Sequence, residues 1–499
     1  MLSTDLLRTY VNSFNATDDE LCVQHIPNSA TYYFLAANIP LFECPDPDIE
    51  RTYYFRWWTY RKHFKETPDG FVITEFLPDV PWAGKYNAIG CAAGHHFYEG
   101  RWLRDQRYLD DYAVFWLRKG GAIRTYSFWI ADALWGRHLA RPNAAFLIDL
   151  LDDLIANYRG WERERLYKDG MFWQYDGNDG GEVSIGGHGR RPTINSYMYG
   201  DANAISRMAW LAGRLGVSSE YANKAARLKA LVLEKLWDPD ARFFKTLPRE
   251  EDMPKGDAPK LVDVRELYGY TPWYFHLPDP GYAEAWAQLM DPKGFYAPFG
   301  PTTAEQRHPG FKVSYEGHEC QWNGPSWPYA TSITLRAMAN VLRDHEQDTI
   351  DRDDYFDILS IYTRSHKLVR EDGTTVPWID ENLDPFTGEW LARTLLRRRG
   401  QGPEERGKDY NHSEYCDLVI TGPVGLVPRD DDVVEVDPLL PEGMWDWFCL
   451  DRVPYHDRSL TIVWDRTGEK YGLGTGLRVL ADGVAVAHSE RLERVTGRL

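Results

Sequence analysis

Apolar positions recur at three- and four-residue intervals along most of the chain. That period predicts helices over 109–118, 126–138, 143–158, 202–215, 219–236, 283–289, 332–342, 355–368 and 413–426. An aromatic and basic stretch, RTYYFRWWTYRKH at 51–63, fits a further helix, and FVITEFLPDVP at 71–81 has strand composition. After about Pro428 the period changes to two. VVEVDPLL, WDWFCL, SLTIVW and LRVLADGVAVAHS alternate between Gly, Asp and Pro turns, and ADG at 481–483 marks a hairpin. The pattern predicts a mostly α domain over 1–427, including an N-terminal wrapping segment, and a small β-rich, sandwich-like module over 428–499. No fixed-period repeat is visible, which argues against a solenoid of a known type.

Composition narrows the partners. Aromatic residues make up 14% of the 499, with 20 Trp and 30 Tyr, an excess that favours a flat amphipathic ligand such as carbohydrate. The net charge of −18 argues against nucleic acid or an anionic membrane as partner. Six cysteines are scattered without a C-x-x-C pair, and no HExxH occurs, so neither a metal nor a redox cofactor is expected. No apolar run is long enough to span a bilayer, and the first twenty residues lack the basic and apolar regions of a signal peptide; the expected compartment is the cytoplasm. The sequence points to no particular oligomeric state.

The densest aromatic stretch is YEGHECQWNGPSWPY at 315–329. Trp322 and Trp327 offer faces for sugar C–H groups, and Gln321 and Asn323 offer hydrogen bonds for hydroxyls. A core cluster sealing a helix start fits these residues equally. The segment resembles the Trp-Arg-Gly-Pro-(Ile/Val)-Trp signature of glycoside hydrolase family 63 and the mannosylglycerate and glucosylglycerate hydrolases, with Asn323 in the Arg place. MDPKGFYAPFG at 290–300 is similar to the loop upstream of that signature, and Gln321-Trp322-Asn323 also resembles a family 37 trehalase motif. The resemblance implies an (α/α)6 toroid. It also implies hydrolysis of a short glycoside by two carboxyl groups, one donating a proton to the leaving oxygen and one activating water.

Two loops match the carboxyl segments. MFWQYDGNDGGEVSIGGHGRRPTINS at 171–196 resembles the Ser-Gly-x-Asp segment, which makes Asp179 the acid, with Asp176 in the Ser place. Asp176 and Glu182 are the neighbouring acids, either of which could take that role. A calcium loop is the other reading of this stretch, but its acids lack EF-hand spacing. WIDENLDPFTGEW at 378–390 resembles Glu-x-(Tyr/Phe)-Asp-Pro-x-Thr-Gly, which makes Glu381 the base, with Asp380 as its alternative. Trp173 and Tyr175 of the first loop, and His412 of NHSEY at 411–415, join the expected sugar contacts. Trp58 and Arg61 are expected at the aglycone. Glu99 and Trp102 fit either sugar ligands or a buried ion-pair network. The expected activity is inverting, exo-acting cleavage of an α-linked gluco- or manno-configured glycoside. A β-glycosidase, a phosphorylase on the same barrel and a non-catalytic carbohydrate-binding protein are the alternatives.

Overall fold

The computed structural model describes residues 1–401 and 405–499. Among the described residues, six helices form a closed circuit of contacts. Ala93–Gly100 packs on Ile130–Ala140, which packs on Pro192–Leu211. Pro192–Leu211 meets Thr271–Tyr274, then come Pro328–Asp344 and Cys416–Thr421, and the last returns to Ala93–Gly100. Every residue of Ala93–Gly100 is buried. Glycines allow close approach inside the circuit. Gly94, Gly136 and Gly200 face Trp129, Tyr98 and Phe275, and a Cβ at each would lie only 2.3, 2.7 and 2.3 Å from the ring.

Helices with one buried face alternate in sequence with these six. Leu215–Lys235 buries Tyr221, Ala225, Leu228 and Val232, a stripe at helical spacing. Arg107–Arg118, Ala144–Arg165 and Arg352–Ser365 do likewise, and Pro280–Gln288 is a 3-10 stretch in the corresponding place. These one-faced elements are the ones that periodicity predicts well. The buried ones are not. Helix Pro192–Leu211 begins ten residues before the predicted 202, because Thr193, Asn195 and Ser196 are buried polar residues that interrupt the apolar rhythm. Asn195 bonds the Phe172 and Arg191 carbonyls, and Ser196 bonds Pro192, so their burial is compensated. Ala93–Gly100 has no exposed face, and its buried His95, His96 and Glu99 break the apolar period. The predicted strand at 71–81 is only Gly70–Ile73, paired with Phe64–Thr67, and the predicted helix at 413–426 is only Cys416–Thr421.

The C-terminal strands form as the alternation predicts. A five-stranded antiparallel sheet has the order Leu41–Glu43, Trp447–Tyr455, Arg458–Asp465, Gly476–Ala481, Val484–Ser489. The last two strands join through Asp482 and Gly483, with φ of 49° and 82°, the two positive angles a tight hairpin turn requires. A second sheet joins Val495–Arg498, Val433–Val436 and Leu426–Val427. The edge strand Leu41–Glu43 comes from the N-terminal segment, so the sheet is not made of the tail alone.

Candidate active site

A cavity of about 200 Å³ opens where the circuit helices begin. Its walls come from the loops entering five of the six helices. Glu75, Phe76 and Trp82 precede Ala93–Gly100, and Tyr126 precedes Ile130–Ala140. Glu182 precedes Pro192–Leu211, Trp322 and Trp327 precede Pro328–Asp344, and Arg406 and His412 precede Cys416–Thr421. The sixth helix contributes indirectly, since Tyr268, just before it, stacks on Trp322 with ring centroids 4.9 Å apart. Trp322 in turn stacks on Trp327 at 4.4 Å, with planes 10° apart. The Trp327 indole N–H is fixed by the Gln321 carbonyl at 2.7 Å. Three aromatic rings thus form one continuous stacked wall.

Four glutamates line this cavity, and two of them, Glu182 and Glu381, come from the two loops that match the carboxyl segments. The Glu182 carbonyl accepts the Trp322 backbone N–H at 3.1 Å, which ties the glycine-rich loop to the aromatic wall. Its neighbour Val183 has φ of 64°, a conformation a β-branched residue adopts only under strain. Burial raises the Glu182 pKa to about 7; Glu381 and Asp176 add to the rise, and the Trp322 side chain opposes it.

Glu381 is 1% exposed. Its Oε1 accepts from Arg406, whose Nε lies 3.1 Å away and whose Nη2 also donates, while its Oε2 receives the Cys320 thiol at 3.3 Å. Arg406 also bonds Glu319 at 3.1 Å. Backbone pairing of Ser326 with Leu383 links the Glu381 loop to the tryptophan segment. The turn after it forms as Asp-Pro-x-Thr-Gly implies: Asp384 Oδ1 accepts the Phe386 and Thr387 N–H groups, and Gly388 has φ of 76°.

Asp179 is placed differently. It is absent from the cavity wall and pairs at 2.7 Å with Arg191, both side chains being at most 1% exposed. The Thr193 hydroxyl also donates to it. Burial pushes its carboxyl up and the Arg191 charge pulls it back, and its Oδ1 is buried without a partner. Asp176 also lies off the wall, 3.6 Å from His188. Trp173 packs under Arg249 and against Tyr175, which is exposed.

Several other expected contacts are structural. The Gln321 side-chain amide bonds the Ser314 and His318 carbonyls, and Asn323 does not line the cavity. Trp58 bonds Asn15 and Arg61 bonds the Ile26 carbonyl, because the N-terminal segment wraps over both. Of the two readings of Glu99 and Trp102, the structure has the ion-pair network. Glu99 accepts the Cys416 and Asp417 N–H groups, and Trp102 and Arg101 both bond Asp417. His412 does line the cavity, between Trp327 and Tyr410, and burial lowers its pKa so that the imidazole is neutral.

The sequence reading misses much of the wall, including the charged residues Glu75, Glu319 and Arg406. Glu75 is buried, receives the Tyr410 hydroxyl on Oε1, and leaves Oε2 without a partner. Burial raises its pKa to about 8, opposed by Tyr410 and aided by Glu381 and Glu182. Its signal is a lone acid inside the apolar run FVITEFL. Arg406 lies in the charged run EERGKDY, which looks like solvated surface.

Among the described residues, no group of three or more His, Cys, Asp or Glu side chains could hold a metal. No helix among them is long and apolar enough to cross a membrane.

Known proteins share this architecture. Residues 428–488 match the model of the glycosyl hydrolase family 65 C-terminal domain. A solved structure named sialidase is 43% identical, with a TM-score of 0.92 over 99% of this chain and 45% of its own. The chain therefore spans less than half of that protein's length. The GH78 rhamnosidase of Bacillus sp. GL1 is 12% identical, with a TM-score of 0.58 over 89% of this chain and 41% of that one. An uncharacterized conserved protein from Thermus thermophilus is 13% identical, with a TM-score of 0.52 over 73% of this chain and 97% of that one. Identities of 12% and 13% show a common fold and nothing more. Residues 85–413, from the loop before the first circuit helix to the loop before the last, match the mannosylglycerate hydrolase MGH1-like glycoside hydrolase domain, and the chain belongs to that family.

Proposed function

We propose that this protein is an exo-acting glycoside hydrolase in which Glu182 protonates the glycosidic oxygen and Glu381 activates the attacking water. The observation that carries the reading is that these two carboxyl groups, from loops about 200 residues apart in sequence, line one small cavity with a stacked tryptophan wall. Family membership supports the reaction class. The closed helix circuit supports an (α/α)6 toroid, with the site at the ends where its inner helices begin.

The assignment moves the acid three positions from the motif match, from Asp179 to Glu182. A general acid must be protonated near working pH and must reach the leaving oxygen. Glu182 lines the cavity and has a pKa of about 7. Asp179 is tied to Arg191 away from it. On the other side, Arg406 orients Glu381 by holding Oε1, which leaves Oε2, with only the weak thiol donor, to take a proton from water. Trp327 would cover the sugar face, with Trp322 and Tyr268 stacked in series behind it.

Water rather than phosphate is the second reactant. Arg406 is the only Lys or Arg among the described residues of the wall, and two glutamates already bond it. A phosphorylase would need free cationic groups there. The family pattern supports inversion at an α-linked gluco- or manno-configured bond. Proton NMR of the first product formed tests the mechanism: an inverted anomer is expected, and a retained one refutes it.

A further inference from the structure

We infer that the cavity takes a single neutral sugar and turns away sugars that carry a carboxylate. The inference rests on the hydrolase reading for its site, but not for its test. Among the described residues, the wall holds four carboxyl groups, Glu75, Glu182, Glu319 and Glu381, against one guanidinium, Arg406. Arg406 is already engaged by Glu381 and by Glu319 at 3.1 Å. A carboxylate on the ligand would therefore find no free cation to meet it. It would enter beside Glu319 and Glu381, two carboxylates that share the single Arg406 guanidinium, and beside Glu75 and Glu182, which burial and the charge of Glu381 already push toward the protonated form. Like-charge juxtaposition in a low-dielectric site is a strong means of exclusion.

The remaining wall favours an uncharged ring. Phe76, Trp82, Ile89 and Tyr126 stand in the same cavity as the stacked tryptophans. The Glu75 Oε2 atom, buried and unpartnered, is a ready partner for one sugar hydroxyl. At about 200 Å³ the cavity lies below the usual range for drug-sized ligands, which suits one ring rather than a chain. A sialoside carries its carboxylate on the sugar itself, so this chain is expected to differ in substrate from the protein named sialidase.

The test compares matched pairs. 4-Nitrophenyl glycosides of neutral pentoses and hexoses, in both anomeric forms, are assayed beside the corresponding uronosides and an aryl sialoside. Calorimetry measures binding of a free neutral sugar and of its uronic acid. Turnover of a neutral glycoside, with kcat/KM for every acidic one lower by about a hundredfold or more, supports the inference. Comparable turnover of a uronoside or sialoside overturns it. If no glycoside is cleaved, the hydrolase reading fails and binding alone decides. A neutral sugar bound in preference to its uronic acid upholds the inference; equal binding, or binding of neither, overturns it. Glu319→Gln frees one side of Arg406 and should shift the acidic-to-neutral preference by about tenfold toward the acidic sugar. An unchanged ratio in the folded variant refutes the electrostatic account.

Discussion

Replacing each of two neighbouring acids by its amide separates chemistry from architecture. Glu182→Gln removes a proton donor from the cavity wall without changing the side-chain shape. Loss of a general acid typically costs about 10²–10⁴ in rate, or roughly 3–5 kcal/mol in the barrier. The loss should depend on the leaving group. A 2,4-dinitrophenyl glycoside leaves as a stable anion and needs no proton, so its kcat should stay near the native value, while an alkyl glycoside shows the full deficit. Asp179→Asn should behave in the opposite way. It leaves Arg191, 1% exposed, without its anion, and breaking a buried pair costs about 3–5 kcal/mol. The melting temperature should fall by several degrees, while the folded fraction treats both leaving groups alike. Steady-state kinetics with the two aryl and alkyl substrates, together with calorimetric melting, reads both variants. The reasoning fails if Asp179→Asn melts like the native protein and loses only the alkyl substrate, or if Glu182→Gln cleaves that substrate at full rate.

Further tests follow from the same geometry. Because the acid must be protonated and Glu182 titrates at about 7, kcat/KM on poor leaving groups should fall as pH rises through about 7; an alkaline limb unmoved by a dinitrophenyl leaving group would argue against the assignment. Glu75 has its folded pKa raised from 4.5 to about 8, so the folded state holds this proton where the unfolded chain has lost it, and stability drains as pH climbs between those values. Glu75→Gln should therefore match the native protein in denaturant unfolding at pH 4 but exceed it by on the order of 3–4 kcal/mol at pH 8; equal stabilities at pH 8 would refute the shift. Arg406→Lys, which keeps the charge but loses the fork on Glu381, should lower kcat by about tenfold or more with little change in KM; a change in KM alone would place Arg406 in binding only. Gly94→Ala puts a Cβ 2.3 Å from Trp129 and should destabilise by about 1–3 kcal/mol in chemical denaturation.

How much of this is legible in the sequence depends on exposure. Helices such as Leu215–Lys235, with one wet face, print their period in the chain. Ala93–Gly100 and the first half of Pro192–Leu211, buried on all sides, do not. In the tail, Gly476–Ala481 alternates between buried and partly exposed positions, while Trp447–Tyr455 is buried almost throughout; the hairpin shows because two positive angles demand Asp-Gly. At the site, the Trp322 and Glu381 segments stand out because each combines turn chemistry with a local motif. The motif favours Asp179 over Glu182 because it records which residues recur together, whereas the Asp179 side chain is held by Arg191, which lies twelve residues further on. Glu75 and Arg406 reach the cavity only through tertiary contacts, Glu75 through Tyr410 and Arg406 through Glu381, and no local pattern encodes those.

The strand Leu41–Glu43 precedes its partner Trp447–Tyr455 by some four hundred residues. During translation this edge must wait, unpaired, until that stretch has emerged. The ring of helices between them is thus laced shut by the segments that flank it. A graft of the terminal sheet onto another protein would need those three early residues as well, or would carry a raw border open to aggregation.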